Sequence, residues 1–143
     1  AFRAARQSGQ LQQPLYDGIA DLLDSLRGAG WLLAVATGMS DRGLEHCLAT
    51  HSLTGHFATL QTASRHPSKP HPAMLEEALG VVGAEPARAV MIGDTAFDMA
   101  MAKAAGVRAI GVDWGYHEAH ELRSAGAEWI AADPAALGEY LLR

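Results

Sequence analysis

Two aspartates, Asp94 and Asp98, stand four residues apart in the stretch VMIGDTAFDMAMAKAAG, where an apolar strand pattern breaks at Gly93 and a helical pattern begins. Carboxylates so placed offer the hard oxygen ligands that suit Mg2+, a cation that binds through one or two carboxylates, several waters and a substrate phosphate. The alternative is helix capping, since acids in a first turn gain about 0.3–1 kcal/mol from the helix dipole. Capping accounts more readily for one aspartate than for both. Thr37 ends the apolar run WLLAVAT, and with the amides of Gly38 and Met39 it can cradle a phosphate. By itself, a threonine there reads as turn chemistry. Lys69 lies among the prolines of SRHPSKPHP, which hold it in a stiff turn where a point charge can meet an anion; the plainer reading is a solvated loop lysine.

These four residues need a scaffold that brings strand ends together. Residues 17–27 carry Ile19, Leu22, Leu23 and Leu26 at helical spacing, and the GAG at 28–30 stops that helix. The run 31–37 is a strand covered on both faces, followed by a helix with Leu44, Cys47 and Leu48 on one stripe and Ser40 or Asp41 as its N-cap. A weaker strand spans 57–63, and helix resumes at AMLEEALGVV. Strand, helix and strand then repeat through RAVMI, 96–105 and VRAIGV, before a short strand AEWIA and a terminal helix opened by Asp133 and Pro134. The alternation predicts an α/β fold around a parallel sheet, in which ligands gather at the carboxyl ends of the strands beside helix N-termini. Thr37, Lys69, Asp94 and Asp98 all fall on that rim.

Composition narrows the classes. The 143 residues suit one small domain, and the 49% hydrophobic content can fill a core. Eleven Lys and Arg against sixteen Asp and Glu give a net charge of −5 with no basic cluster, which argues against nucleic acid. No apolar run approaches the roughly 18 residues of a membrane span, so no membrane partner is expected. Cys47 is the sole cysteine, which excludes an intrachain disulfide and fits a reducing compartment, so a cytoplasmic location is expected.

Taken in order, VATG, SKPHPAMLEEAL and IGDTAFDMAMAKAAG resemble the haloacid dehalogenase superfamily of phosphotransferases over residues 14–143. The segment IGVDWGYHEAHELRSAGAEWI resembles its phosphoglycolate-phosphatase-like branch. The resemblance implies a Rossmann-like core and a phosphoric monoester hydrolase working through an aspartyl-phosphate. It implies that Asp94 binds Mg2+, that Asp98 supports the metal site directly or through its neighbours, and that Thr37 and Lys69 bind the phosphoryl group of a small phosphorylated metabolite. The dehalogenases proper need no metal and usually lack the Gly-Asp start of the last signature, so its presence here favours a phosphate ester.

The family's nucleophile belongs to an Asp-x-Asp at the end of a first strand, and the sequence offers no counterpart. Asp17 follows no apolar strand, and after Asp113 the second carboxylate position is Gly115. Residues 1–13 are of helical composition and resemble the last cap helix and its return linker. The expectation is therefore a C-terminal part of a longer phosphatase, with a core over 14–143 lacking its first strand and a missing N-terminal segment as partner. Such a chain should be inactive alone. A phosphomutase of the same family is one alternative; a noncatalytic phosphate- or Mg2+-binding module is another. A receiver-like signalling module is the third, although in receivers the acidic pair comes first and the lysine last.

The remaining marked residues carry bland readings. His117 and His120 lack a third ligand and read as surface histidines. His66 and His71 flank Lys69 and read as solvated turn residues. Cys47, Met99 and Met101 read as packing. Trp114 and Tyr116 either line a pocket or pack over the core edge.

Overall fold

The structure, a computed structural model, describes residues 18–142 together with the backbone of Phe2–Ala4. Six strands form one parallel sheet: β1 (Phe2–Ala4), β2 (Ala34–Thr37), β3 (Thr59–Thr62), β4 (Val90–Gly93), β5 (Arg108–Val112) and β6 (Trp129–Ala131). Their order is β3-β2-β1-β4-β5-β6. That is the doubly wound order, in which the chain reverses its direction of travel across the sheet beside β1. The helices are α1 (Ile19–Gly28), α2 (Asp41–Thr50), α3 (Ala73–Val82), α4 (Ala96–Ala105), α5 (Ala119–Ser124) and α6 (Pro134–Leu141). The expected α/β architecture is present.

The alternation of side chains along each strand divides the core in two. Ala34, Ala36, Met91 and Ala109 pack with Met74, Leu75, Met99 and Leu122 beneath α3, α4 and α5. On the other face Val35, Val90, Ile92, Ile110 and Val112 pack with Leu23, Leu26, Leu44 and Leu137 from α1, α2 and α6. Both faces are covered, which is why the strands read as continuous apolar runs.

The termini of the helices follow their cap chemistry. Ser40 caps α2 by accepting the Gly43 amide at 3.1 Å, and Asp133 caps α6 by accepting that of Ala136 at 2.7 Å. Of the two cap candidates for α2, Ser40 fills the role and Asp41 is left for another. The helix α5 went unread, because it has only six residues in a polar stretch; its signal is the reciprocal cap between Glu118 and Glu121, with Leu122 buried beneath.

One expectation is corrected. Phe2–Ala4, within the stretch 1–13 expected to be the remnant of a cap helix and its linker, is extended and sits between β2 and β4, pairing Arg3 with both Val35 and Ile92. The expected gap in the sheet is thus filled. Two facing rows of unpaired backbone groups hold a strand more firmly than composition holds a short helix. Residues 5–13, the rest of the expected cap remnant, and Asp17 lie outside the described residues.

At the far edge, Arg108 donates to both carboxylate oxygens of Glu128 at 3.0 and 2.7 Å, and Tyr140 donates to the same carboxylate at 3.0 Å. Hydrogen bonding from Arg108 holds the Glu128 carboxyl below its usual range and raises the Arg108 guanidinium. A carboxylate with a lowered folded pKa contributes stability above its unfolded value of 4.5, and that contribution is lost as pH falls through the folded value. Denaturant unfolding should therefore find Glu128→Gln less stable than the parent at pH 7, by up to about 1 kcal/mol for a partly exposed pair. The difference should close as pH drops below 4.5.

Candidate active site

Thr37 ends β2 and Asp94 stands one residue beyond the end of β4, on either side of β1. Because Arg3 pairs with Val35 on one side and Ile92 on the other, Thr37 and Asp94 are level across the sheet. With β1 between them and strands spaced about 4.8 Å, their backbones lie roughly 10 Å apart. This is the side of the sheet, at the reversal of strand order, where doubly wound folds bind ligands.

Each of the two residues is buried and anchored. Thr37 has no exposed surface, and its hydroxyl oxygen accepts the Met39 amide at 3.1 Å. Of the two amides expected to cradle a phosphate, that of Met39 thus turns back onto Thr37, while Gly38 is exposed at the loop tip. Asp94 is 4% exposed. Its Oδ2 accepts the Tyr116 amide at 3.3 Å, and its carbonyl accepts the His117 amide at 3.1 Å.

Asp98 is fully buried at the third position of α4. Its Oδ2 accepts the Thr95 amide at 3.3 Å and the Thr95 hydroxyl at 3.1 Å, while Thr95 Oγ1 accepts the Asp98 amide at 3.3 Å. Asp98 Oδ1 receives the Lys69 ammonium, whose side chain is only 7% exposed. The helix-cap reading of Asp98 is therefore correct but incomplete. The carboxylate closes a capping box with one oxygen and holds a lysine from 29 residues away with the other. Lys69 is correspondingly no solvated loop residue.

Backbone close approach makes this packing feasible. A Cβ on Gly93 would fall on the Asp98 carboxylate, and a Cβ on Gly115 on that of Asp94. Neither glycine has a left-handed φ, so each is required for space rather than conformation.

The histidines settle individually. His117 accepts the Ala96 amide on Nδ1 at 2.8 Å, capping α4 from the loop after β5, and its ring lies 5.9 Å from that of Phe97. It is a tether between that loop and the α4 terminus, where sequence alone suggested a surface histidine. No spacing signal could show this, because the helix it caps is 21 residues upstream. His120 approaches Glu118 at 3.3 Å, and both are exposed. His66 meets Gln61 Oε1 at 2.7 Å, and His71 Nδ1 accepts the Ala73 amide at 3.1 Å, so both act locally. Met99 and Met101 are buried in the core, and Cys47 packs against its other half. Trp114 packs on that same half, whereas Tyr116 is exposed.

Among the described residues no group of three His, Cys, Asp or Glu side chains could hold a metal. Of the two aspartates expected to hold a metal, Asp98 has both oxygens engaged, one by Thr95 and the other by Lys69. Also among the described residues, no helix is long and apolar enough to cross a membrane.

The sequence pattern of the family described as "Haloacid dehalogenase-like hydrolase" matches residues 2–112. The chain is 39% identical over 113 residues to the "Probable phosphatase IndB" of Dickeya dadantii, which covers 78% of this chain and 49% of that protein. It is 31% identical over 124 residues to a "Phosphoglycolate phosphatase" of Haemophilus influenzae, covering 86% of this chain and 55% of that protein. The crystal structure of a predicted phosphoglycolate phosphatase from Haemophilus somnus superposes with a TM-score of 0.84 at 25% identity, covering 93% of this chain and 60% of that one. The chain thus spans about half the length of the curated relatives it matches. With the family pattern running from β1 to the end of β5, this chain belongs to the haloacid dehalogenase-like hydrolases.

Proposed function

We propose that this chain is the phosphoryl-binding part of a Mg2+-dependent phosphatase acting on a small phosphorylated metabolite of the phosphoglycolate class, with the attacking carboxylate outside the sequence given. The observation that carries the reading is the burial of the Lys69 ammonium on Asp98 at the strand ends that also present Asp94 and Thr37. An ammonium has three donors, and Asp98 engages one side of it, so the remainder can serve oxygens of a bound phosphoryl group. Fixed in a largely dry site, that charge acts more strongly than it would in water. The name of the Haemophilus influenzae relative supports the same substrate class, and that of the Dickeya dadantii relative supports phosphatase activity.

Asp94 would hold Mg2+, with Asp98 shaping the site through Lys69 and the α4 terminus. When bound, the ion would neutralise charge on the phosphate. Thr37 would offer its hydroxyl and Gly38 its amide to the phosphoryl oxygens, and Lys69 would balance their charge. Nothing in these residues attacks phosphorus. Phe2–Ala4 carry no carboxylate, and the first acidic residue of the chain is Asp17. Asp113, after β5, is followed two residues later by the Gly115 that packs on Asp94. An aspartate on an upstream segment that took the place of Phe2–Ala4 between β2 and β4 would complete an aspartyl-phosphate route of the kind described for carboxylate nucleophiles.

Purified 143-residue protein should accordingly show no multiple turnover of p-nitrophenyl phosphate with Mg2+. Sustained phosphate release that copurifies with the chain would refute the absent nucleophile. In a form carrying the complementary N-terminal segment, Lys69→Met should lower kcat/KM by about two orders of magnitude or more. The same change should destabilise the fold by roughly 3–5 kcal/mol, because Asp98 is left buried and unpaired. Near-normal turnover together with an unchanged unfolding midpoint would return Lys69 to the surface. In that form, titrating Mg2+ should show a raised metal requirement for Asp94→Asn; an unchanged requirement would remove Asp94 from the metal site.

A further inference from the structure

Asp41 takes no part in the sites described so far. It follows the N-cap of α2, is partly exposed, and joins two loops that sequence separates by more than twenty residues. Its Oδ1 accepts the hydroxyl of buried Thr62 at 2.6 Å, and its Oδ2 lies 3.4 Å from Arg65 Nε. Its amide donates to Ser64 Oγ at 3.0 Å. Beside it the Ala63 amide donates to the Met39 carbonyl at 3.1 Å, and the Ser64 amide to Thr62 Oγ1 at 3.2 Å. Thr62 therefore donates to Asp41 and accepts from its own loop.

We propose that Asp41 is a positioning residue that registers the Lys69 loop against the Thr37 loop, so that the two phosphoryl-binding groups are set at a fixed separation. The loop from Ala63 to Pro72 is held at its start by the Ala63–Met39 bond and by Asp41, which meets Ser64 and Arg65, and further along by Asp98 through Lys69. Thr37, Gly38 and Met39 lie in the segment directly before Asp41, so its carboxylate adds a side-chain tie to the Ala63–Met39 bond between the lysine loop and the segment that carries the cradle. The hydrogen bond from Thr62 keeps the Asp41 carboxyl below its ordinary range, so it remains an acceptor at neutral pH. Because Asp41 has 42% of its side chain exposed, its removal loosens the loops without emptying the core. Sequence reading placed Asp41 only as a possible cap, since neither Thr62 nor Ser64 is near it in the chain.

The role rests on the phosphoryl-site reading, and the test separates the two. Inorganic phosphate with Mg2+ is titrated into the 143-residue chain by calorimetry, beside thermal unfolding of each variant. Asp41→Ala and Thr62→Val should each weaken phosphate roughly tenfold, and the double variant should be no weaker than either single one. Asp41→Asn, which retains the oxygen that accepts from Thr62, should bind within about threefold of the parent. A purely structural role would instead lower the unfolding temperature of Asp41→Ala and leave affinity alone. If Asp41→Ala does not fold, the near-isosteric Thr62→Val carries the test. Failure of the parent chain to bind phosphate saturably sinks the phosphoryl-site reading, and this role with it. Saturable binding that neither Asp41→Ala nor Thr62→Val weakens, or losses that add in the double variant, sinks the Asp41 role alone.

Discussion

A lysine ammonium and an aspartate, both almost wholly withdrawn from water, form the constraint on which the rest of the site depends. Ions in such a place are tolerated only when paired and hydrogen-bonded. Asp98 meets the condition through Thr95 and its own helix terminus on one oxygen and through Lys69 on the other. The proline-bounded turn holds the lysine, and Gly93 must lack a side chain for the carboxylate to lie over the end of β4. Several sequence features that look independent are thus conditions for one buried pair.

The sheet sets the second condition. Parallel strands deliver their following loops to one rim, and the strand order reverses between β1 and β4, beside Asp94. Asp94 is held there from two directions: by β4, which delivers it, and by the loop after β5, whose amides from Tyr116 and His117 close on it. His117 then fastens that loop to the first amide of α4. The connections after β2, β3, β4 and β5 meet at the rim, so its geometry is determined by tertiary packing more than by any single turn.

How much of this was legible in the sequence depended on the range of the interaction. The helix stripes at Ile19–Leu26 and the apolar runs ending at Thr37 and Gly93 report local burial, and they located the elements to within a few residues. The short ordered motifs placed Thr37, Lys69, Asp94 and Asp98 on one rim, because strand ends of a parallel sheet share a side. What they could not show was pairing. That Lys69 would reach Asp98, that His117 would cap a helix upstream, and that Asp41 would tie two loops are contacts across 20 or more residues with no periodic trace. The short β1 escaped for a related reason: its conformation is set by the strands on either side of it, not by its own composition.

The central claim is that Lys69 is a buried, fixed cation that meets a phosphoryl group. Nitrogen-detected NMR of the lysine ammonium groups in the chain tests it directly. Lys69, assigned by substitution, should give one slowly exchanging ammonium resonance that is lost in Asp98→Asn and shifts on addition of inorganic phosphate with Mg2+. A Lys69 ammonium in rapid exchange with water, indifferent to both Asp98 and phosphate, would contradict it.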